Sequence, residues 1–302
     1  MFLQLLIVFA IAVMSAATAK AADPFDVNKL PFNQPDLKFP DKPRPVGPDL
    51  TMMFKPNGDA PFPALVIMPT CAGHTVSMHA FDWAHRAKGQ GYAVLVVDPL
   101  TPRGVSINCQ VPLPVRPARL LKDAFDAANH LRQQSFVDPT RVGLMGFSQG
   151  AMVALAASGS TYSRRDGTDQ AFRGIFSAYP LCIVKNVPVP GSSNTADYLF
   201  VPEKINVPIL VAMGDEDNEG MGTTTADCKP MLDKRKAEGD PISYIVYHAT
   251  HIWDWREMAM SGLTPHHKNM AGEEVKMEFN PDVTEQSAKD AFAFLDKHVR
   301  GN

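Results

Sequence analysis

Apolar residues fall along this chain in short unbroken runs, separated by longer stretches in which apolar and polar positions interleave. Ala64-Leu65-Val66-Ile67-Met68 and Tyr92-Ala93-Val94-Leu95-Val96-Val97 are the clearest runs. Runs of this length without alternation are expected of strands buried on both faces of a parallel sheet. Shorter runs of the same kind stand at Arg141 to Met145, Gly174 to Ala178, Pro208 to Met213 and Ile242 to Tyr247, and Leu50 to Phe54 is a possible first strand. Asp138-Pro139-Thr140 should break the chain before the strand at Val142.

Helical spacing fills the intervals. Met78 to Lys88 reads as a helix, and Leu120, Leu121, Ala124, Ala127, Ala128 and Leu131 share one helical face. A last helix should begin at Asp282, with Glu285 completing a capping box. Its apolar face carries Ala288, Ala291, Phe292, Leu295 and Val299. Strands alternating with helices predict an α/β fold with a mostly parallel sheet, covered by helices on both faces.

The ends of the chain change the picture. Met1 to Val13 are nearly all apolar, and Ala17-Thr18-Ala19 or Ala19-Lys20-Ala21 would suit a signal peptidase. The run is too short to span a bilayer stably, so residues 1–21 are expected to be a secretory leader, although Lys and Arg are missing from its start. Residues 22–48 are rich in proline and should form an extended surface arm. Residues 49–302 are left as one catalytic domain. The expected location is secreted or periplasmic, with no membrane association once the leader is removed.

The four cysteines, Cys71, Cys109, Cys182 and Cys228, fit this setting as two disulfides. No Cys-x-x-Cys pair suggests zinc, and the adjacent His266 and His267 do not share a face, so no metal site is expected. The formal net charge of −3, from 29 Lys and Arg against 32 Asp and Glu, offers no basic excess for nucleic acid. Nothing in the pattern specifies an oligomeric state.

The chemistry centres on Gly146-Phe147-Ser148-Gln149-Gly150, a G-x-S-x-G sequence between a predicted strand and the helix-forming run Ala151 to Ala157. A sharp strand-to-helix turn would expose the Ser148 hydroxyl at the start of a helix. A serine hydroxyl needs a base, and the base needs a carboxylate to hold its tautomer. In such elbows the acid and then the histidine follow the serine in the chain. Asp215 and Asp217 both follow the strand at Ile209, and His248 and His251 both follow the strand at Ile245. His251 is the expected base, since His248 stands very close to the strand end. Two backbone amides, of Gln149 and of Cys71 in the turn after Met68, are expected to stabilise an oxyanion. Trp253 and Trp255 flank the base, and Trp253 is expected to wall the substrate pocket.

Val66 to Gly73, Asp98 to Gly104, Val142 to Gly150, Pro208 to Asp217 and Tyr247 to Trp253, taken in order, resemble the dienelactone hydrolase family of α/β-hydrolases. The resemblance implies a sheet of about eight strands and hydrolysis of small esters or lactones without a cofactor. It selects Asp217 over Asp215 as the orienting acid, three residues after Gly214. The chain departs from the best-known members, which carry Cys where Ser148 stands and Glu where Thr70 stands. Two arginines hold a substrate carboxylate in those members. Arg103 and Arg256 stand one residue away from the matching places, and Arg103 is taken as a candidate substrate contact.

Cys71 and Cys109 follow neighbouring strands at one sheet edge, as do Cys182 and Cys228. This placement, with the cysteines of exported-looking relatives, gives the expected pairs Cys71–Cys109 and Cys182–Cys228. The function so read is an exported serine hydrolase of small carboxylic esters or lactones, acting through Ser148, His251 and Asp217. A peptidase of the same fold and a non-catalytic binding protein are the alternatives.

Overall fold

The structure is a computed structural model that describes residues 24–26, 34–43, 52–76, 78–109, 113–159, 172–188, 195–220, 222–257, 267–269 and 272–301. The expected leader and His266 lie outside the described residues.

Seven strands form the principal sheet in the order β1-β3-β2-β4-β5-β8-β9. They are β1 (Met52–Phe54), β2 (Phe62–Met68), β3 (Ala93–Val96), β4 (Val137–Phe147), β5 (Ile175–Ala178), β8 (Ile209–Gly214) and β9 (Ile242–Tyr247). All neighbours run parallel except β1, which pairs antiparallel with β3 at the edge. These are the strands that the apolar runs predict, and the sheet has seven strands rather than about eight. No further strand extends the β1 edge among the described residues. The preceding arm carries Pro35, Pro40 and Pro43, which have no N–H to offer a ladder.

The pleat divides each buried run between two cores. Ala64, Val66 and Met68 of β2 join one apolar cluster with α3 (Pro117–Arg132) and α4 (Gln149–Ser158). Leu65 and Ile67 face the other, with α2 (His79–Gly89) and α6 (Pro281–Leu295). Successive side chains of a strand point to opposite faces, so a helix layer on each side buries every position. α5 (Thr225–Ala237) packs on β9, the opposite edge. A hairpin of β6 (Ile183–Pro188) and β7 (Thr195–Leu199) leaves the chain between β5 and β8, and β10 (His267–Lys268) pairs with β11 (Glu274–Val275).

Two local expectations are corrected. Asp138-Pro139-Thr140 does not end an element but bulges within β4, between the pairs Phe62↔Val137 and Ala64↔Val142. The Asp138 carboxylate accepts from Thr140 N at 2.9 Å, satisfying a backbone donor within the bulge, and from the Arg141 side chain at Nε, 2.7 Å away. The last helix is capped by Asn280, whose side chain accepts from Val283 N at 3.1 Å. Pro281 fills the first helical position, where a missing N–H costs nothing. Glu285 is thereby free to accept a hydrogen bond from Arg86 Nη1 on α2 at 3.0 Å.

Candidate active site

β4 turns into α4 at a single residue. Ser148 sits at φ 51°, ψ −112°, a conformation that costs a non-glycine residue of order 1–3 kcal/mol. Its neighbours enforce the turn. A Cβ on Gly146 would lie 2.1 Å from Gly150 O, and one on Gly150 would lie 2.2 Å from Met68 O. Ser148 N donates to Ala178 O at 3.0 Å, which ties the turn to β5.

The loops after β8 and β9 meet this turn. Gly214 permits their approach, since a Cβ there would lie 2.2 Å from Ala249 O. Asp215 N donates to Tyr247 O at 2.9 Å and Glu216 N to Ala249 O at 3.1 Å. The result is a buried chain of hydrogen bonds. Ser148 Oγ lies 3.0 Å from His251 Nε2, and His251 Nδ1 lies 2.7 Å from Asp217 Oδ2. The other Asp217 oxygen accepts from Thr223 Oγ1 at 2.7 Å and Glu219 N at 3.1 Å. Burial by itself would push the His251 imidazole down, but the charge and hydrogen bond of Asp217 outweigh it and hold it above its ordinary value. The alternatives pair elsewhere: His248 faces solvent, with Nδ1 3.1 Å from Asp215 Oδ1.

A polar clip joins the two proposed oxyanion amides, and the sequence reading missed its central residue. Asn108, fully buried, donates its backbone N–H to Cys71 O at 2.8 Å. Its Nδ2 donates to Gln149 Oε1 at 2.8 Å, and Gln149 Nε2 returns a bond to Asn108 O at 3.2 Å. Asn108 Oδ1 accepts from Val115 N at 2.7 Å. The Cys71–Cys109 disulfide closes the same turn, with Cα atoms 5.0 Å apart. A second disulfide joins Cys182 to Cys228. Gln149 opens α4, so its N–H has no carbonyl one turn back to receive it. The signal for Asn108 was only its place beside Cys109.

Behind His251 lies a second buried polar set. The Tyr179 ring meets the imidazole edge-on at 5.1 Å, and its hydroxyl donates to Asp254 Oδ1 at 2.7 Å. Trp83 Nε1 donates to the other Asp254 oxygen at 2.6 Å. His74, a few residues past the end of β2, is buried. It donates Nε2–H to Val97 O at 2.9 Å, and burial pushes it down to about 4.

Two expected substrate contacts, Arg103 and Trp253, are engaged by other partners. Arg103 grips the buried Asp123 with both terminal nitrogens, at 2.7 and 2.9 Å, and also donates to Pro35 O and Pro99 O. A guanidinium so engaged has no donor to spare for a substrate. Trp253 is fully buried, donates Nε1–H to Ser287 Oγ at 3.2 Å and packs on Tyr179, because its large apolar surface is worth more in the core than at a pocket wall. Arg256 is on the surface, paired with Asp82 at 3.2 Å.

A largely apolar cavity of about 200 Å3 opens beside Ser148, lined in part by Cys71, Gln149, Met152, Leu181 and Phe200. A larger depression of about 620 Å3 lies at the opposite end of the sheet, lined in part by Thr140, Arg173, Asn206 and His298. Among the described residues no group of three or more His, Cys, Asp or Glu is placed to hold a metal ion.

No curated protein matches the chain. Solved structures do. A Klebsiella pneumoniae subsp. pneumoniae protein provisionally assigned as a dienelactone hydrolase is 17% identical, with a TM-score of 0.59 over 82% of this chain and 92% of that one. A thermophilic esterase from Thermogutta terrifontis, solved with butyrate bound, is 13% identical, with a TM-score of 0.53 over 82% and 88%. Est1E from Butyrivibrio proteoclasticus, solved with ferulic acid, is 15% identical, with a TM-score of 0.50 over 82% and 95%. At these identities the likeness establishes the α/β-hydrolase fold alone. The model of the dienelactone hydrolase family, however, matches residues 50–253, and the chain belongs to that family of hydrolases.

Proposed function

We propose that this chain is an exported serine hydrolase that cleaves a small carboxylic ester or lactone through an acyl-enzyme. The observation that carries the reading is the buried Ser148–His251–Asp217 hydrogen-bond chain beside an apolar cavity. Ser148 Oγ bonds to the carbonyl carbon as its proton passes to His251 Nε2. The carbonyl oxygen becomes an oxyanion, held by the N–H groups of Cys71 and Gln149. Asp217 stabilises the imidazolium, in keeping with the raised position of His251. The C–O bond to the leaving group then breaks, and the leaving oxygen takes the proton from His251. In a lactone that oxygen stays attached to the acyl group. Water, deprotonated by His251, attacks the acyl carbon and restores Ser148. No step calls for a cofactor.

Export is part of the proposal, with residues 1–21 as leader, 22–48 as arm and 49–302 as catalytic domain. The two disulfides suit an oxidising compartment, and no helix among the described residues is long and apolar enough to cross a membrane. A serine-reactive phosphonate tests the core of the reading. Labelling at Ser148, with labelling and ester turnover lost in Ser148→Ala, supports it. Turnover at the wild-type rate in Ser148→Ala overturns it, and an unlabelled Ser148 without turnover favours a binding protein.

A further inference from the structure

The N-terminal arm reaches the cavity beside Ser148. Pro24 lines that cavity, and so does Phe200. Phe25 stands edge-on to the Phe200 ring, with centroids 5.7 Å apart and planes at 81°. The facing wall comes from Leu181 and from the β6–β7 hairpin through Val184 and Tyr198. The arm therefore contributes to the cavity lining through Pro24, and Phe25 backs the Phe200 ring that lines another part of it.

The arm is held along the domain by bonds unrelated to the cavity. Asp36 pairs with Arg119 at 2.8 Å and Lys122 at 3.1 Å, both on α3. Pro35 O accepts from Arg103 Nη2 at 2.7 Å, and Pro40 O accepts from His130 Nε2 at 2.9 Å. The anchors on α3 lie toward both of its ends and hold residues 35–40 against the domain.

The lining also limits what fits. At about 200 Å3 the cavity is below the roughly 300–1,000 Å3 that buries drug-sized ligands. Glu219 is the one charged side chain among its described lining residues. The arginines nearest the family's carboxylate-holding positions are engaged elsewhere, Arg103 with Asp123 and Arg256 with Asp82. A carboxylate on the substrate would meet like charge without a partner, and burying it so is strongly unfavourable.

We propose that the N-terminal arm is a specificity element: Pro24 lines the apolar cavity beside Ser148 and Phe25 backs the Phe200 ring of its wall, so that the cavity accepts a short, uncharged group whose length the Phe25–Phe200 contact sets. The proposal rests on the hydrolytic reading of Ser148 above. With the leader removed after Ala21, Pro24 is the third residue of the mature chain, so trimming or extension of that terminus bears directly on substrate choice.

The test compares wild type, Phe25→Ala and Phe25→Trp, each as the full mature chain, on p-nitrophenyl butyrate and octanoate. Each methylene newly admitted adds about fourfold to kcat/KM. The octanoate-to-butyrate ratio should rise at least tenfold in Phe25→Ala and fall in Phe25→Trp. Ratios unchanged in both variants overturn the wall. An ester bearing a carboxylate on its acyl group should be turned over at least a hundredfold more slowly than its neutral methyl-capped counterpart, and equal rates overturn the uncharged preference. If wild type turns over no ester and Ser148 resists the phosphonate, the hydrolytic reading fails. The wall is then judged by calorimetry of 1-butanol and 1-octanol binding to Ser148→Ala. Adding Phe25→Ala should favour octanol at least tenfold, and no change in preference overturns it.

Discussion

The loop after β8 supplies two acids and the loop after β9 two histidines, which meet as two acid–histidine pairs. Asp217 meets His251 at 2.7 Å with both side chains almost wholly buried, at 1% and 2% exposure. Asp215 meets His248 at 3.1 Å with the two side chains 48% and 80% exposed. The residue types, strands and loops are the same, yet only one pair touches a serine. In water the outer pair contributes at most about 1 kcal/mol, because solvent screens the charges and both side chains lose freedom. Around the inner pair water is excluded, so Asp217's charge acts on the imidazole at full strength. Burial also requires every remaining lone pair to be satisfied, which Thr223 Oγ1 and the Glu219 N–H do. A histidine–carboxylate contact alone thus has little diagnostic value; its burial and second partners do.

The largest expected effect separates the pairs. His251→Ala should lower kcat/KM for a neutral ester by about a thousandfold or more, and Asp217→Asn should approach that loss by supplying the wrong partner to Nδ1. A dead His248→Ala with an active His251→Ala would reverse the roles assigned here.

Next comes the clip that joins the residues of the proposed oxyanion donors. Asn108→Ala removes the side-chain bonds to Gln149 and Val115. Losing one well-placed oxyanion donor costs about 100- to 1,000-fold, so loosening two should cost about 10- to 100-fold. The loss should fall on kcat with KM little changed, and an equal rise in KM would make Asn108 a binding residue instead.

The pH profile sharpens the comparison further. His251 must be neutral to accept the Ser148 proton, and it is held above 6.5. Activity should therefore be full on the alkaline side and fall as pH drops through a midpoint above 6.5. In Asp217→Asn the raising charge is gone while burial still pushes the imidazole down. The residual activity should then show its midpoint at lower pH, and a midpoint that stays in place would mean that Asp217 does not set it.

The smallest effect belongs to the outer pair. Asp215→Asn and His248→Ala should leave kcat/KM within about twofold and stability within about 0.5 kcal/mol, as for other solvent-exposed pairs. Thermal unfolding with esterase assays checks both, and a large loss would show that the outer pair holds the loops.

Much of this was legible before any coordinates. The strands at Ala64, Val94, Val142, Ile175 and Ile209 were readable because a strand buried on both faces leaves an unbroken apolar run, and the edge strand at Ile242 because its residues are mostly apolar. Ser148 was readable because the turn admits only glycine two residues on either side. Asn108 was not: a loop residue held by side-chain bonds has no period to reveal it. The β6–β7 hairpin was also missed, since Val184-Lys185-Asn186 mixes classes without a regular pattern.

Local rules therefore carried the α/β alternation, the elbow at Ser148 and the placing of acids and histidines after particular strands, because each depends on residues close together in the chain. The partners of Arg103, Trp253 and the arm came from the fold. Arg103 lies twenty residues from Asp123, and Trp253 lies 34 from Ser287. Whether a guanidinium faces a substrate or a buried carboxylate is a competition between partners distant in sequence. It is settled by which of them packing brings within about 3 Å, out of reach of water.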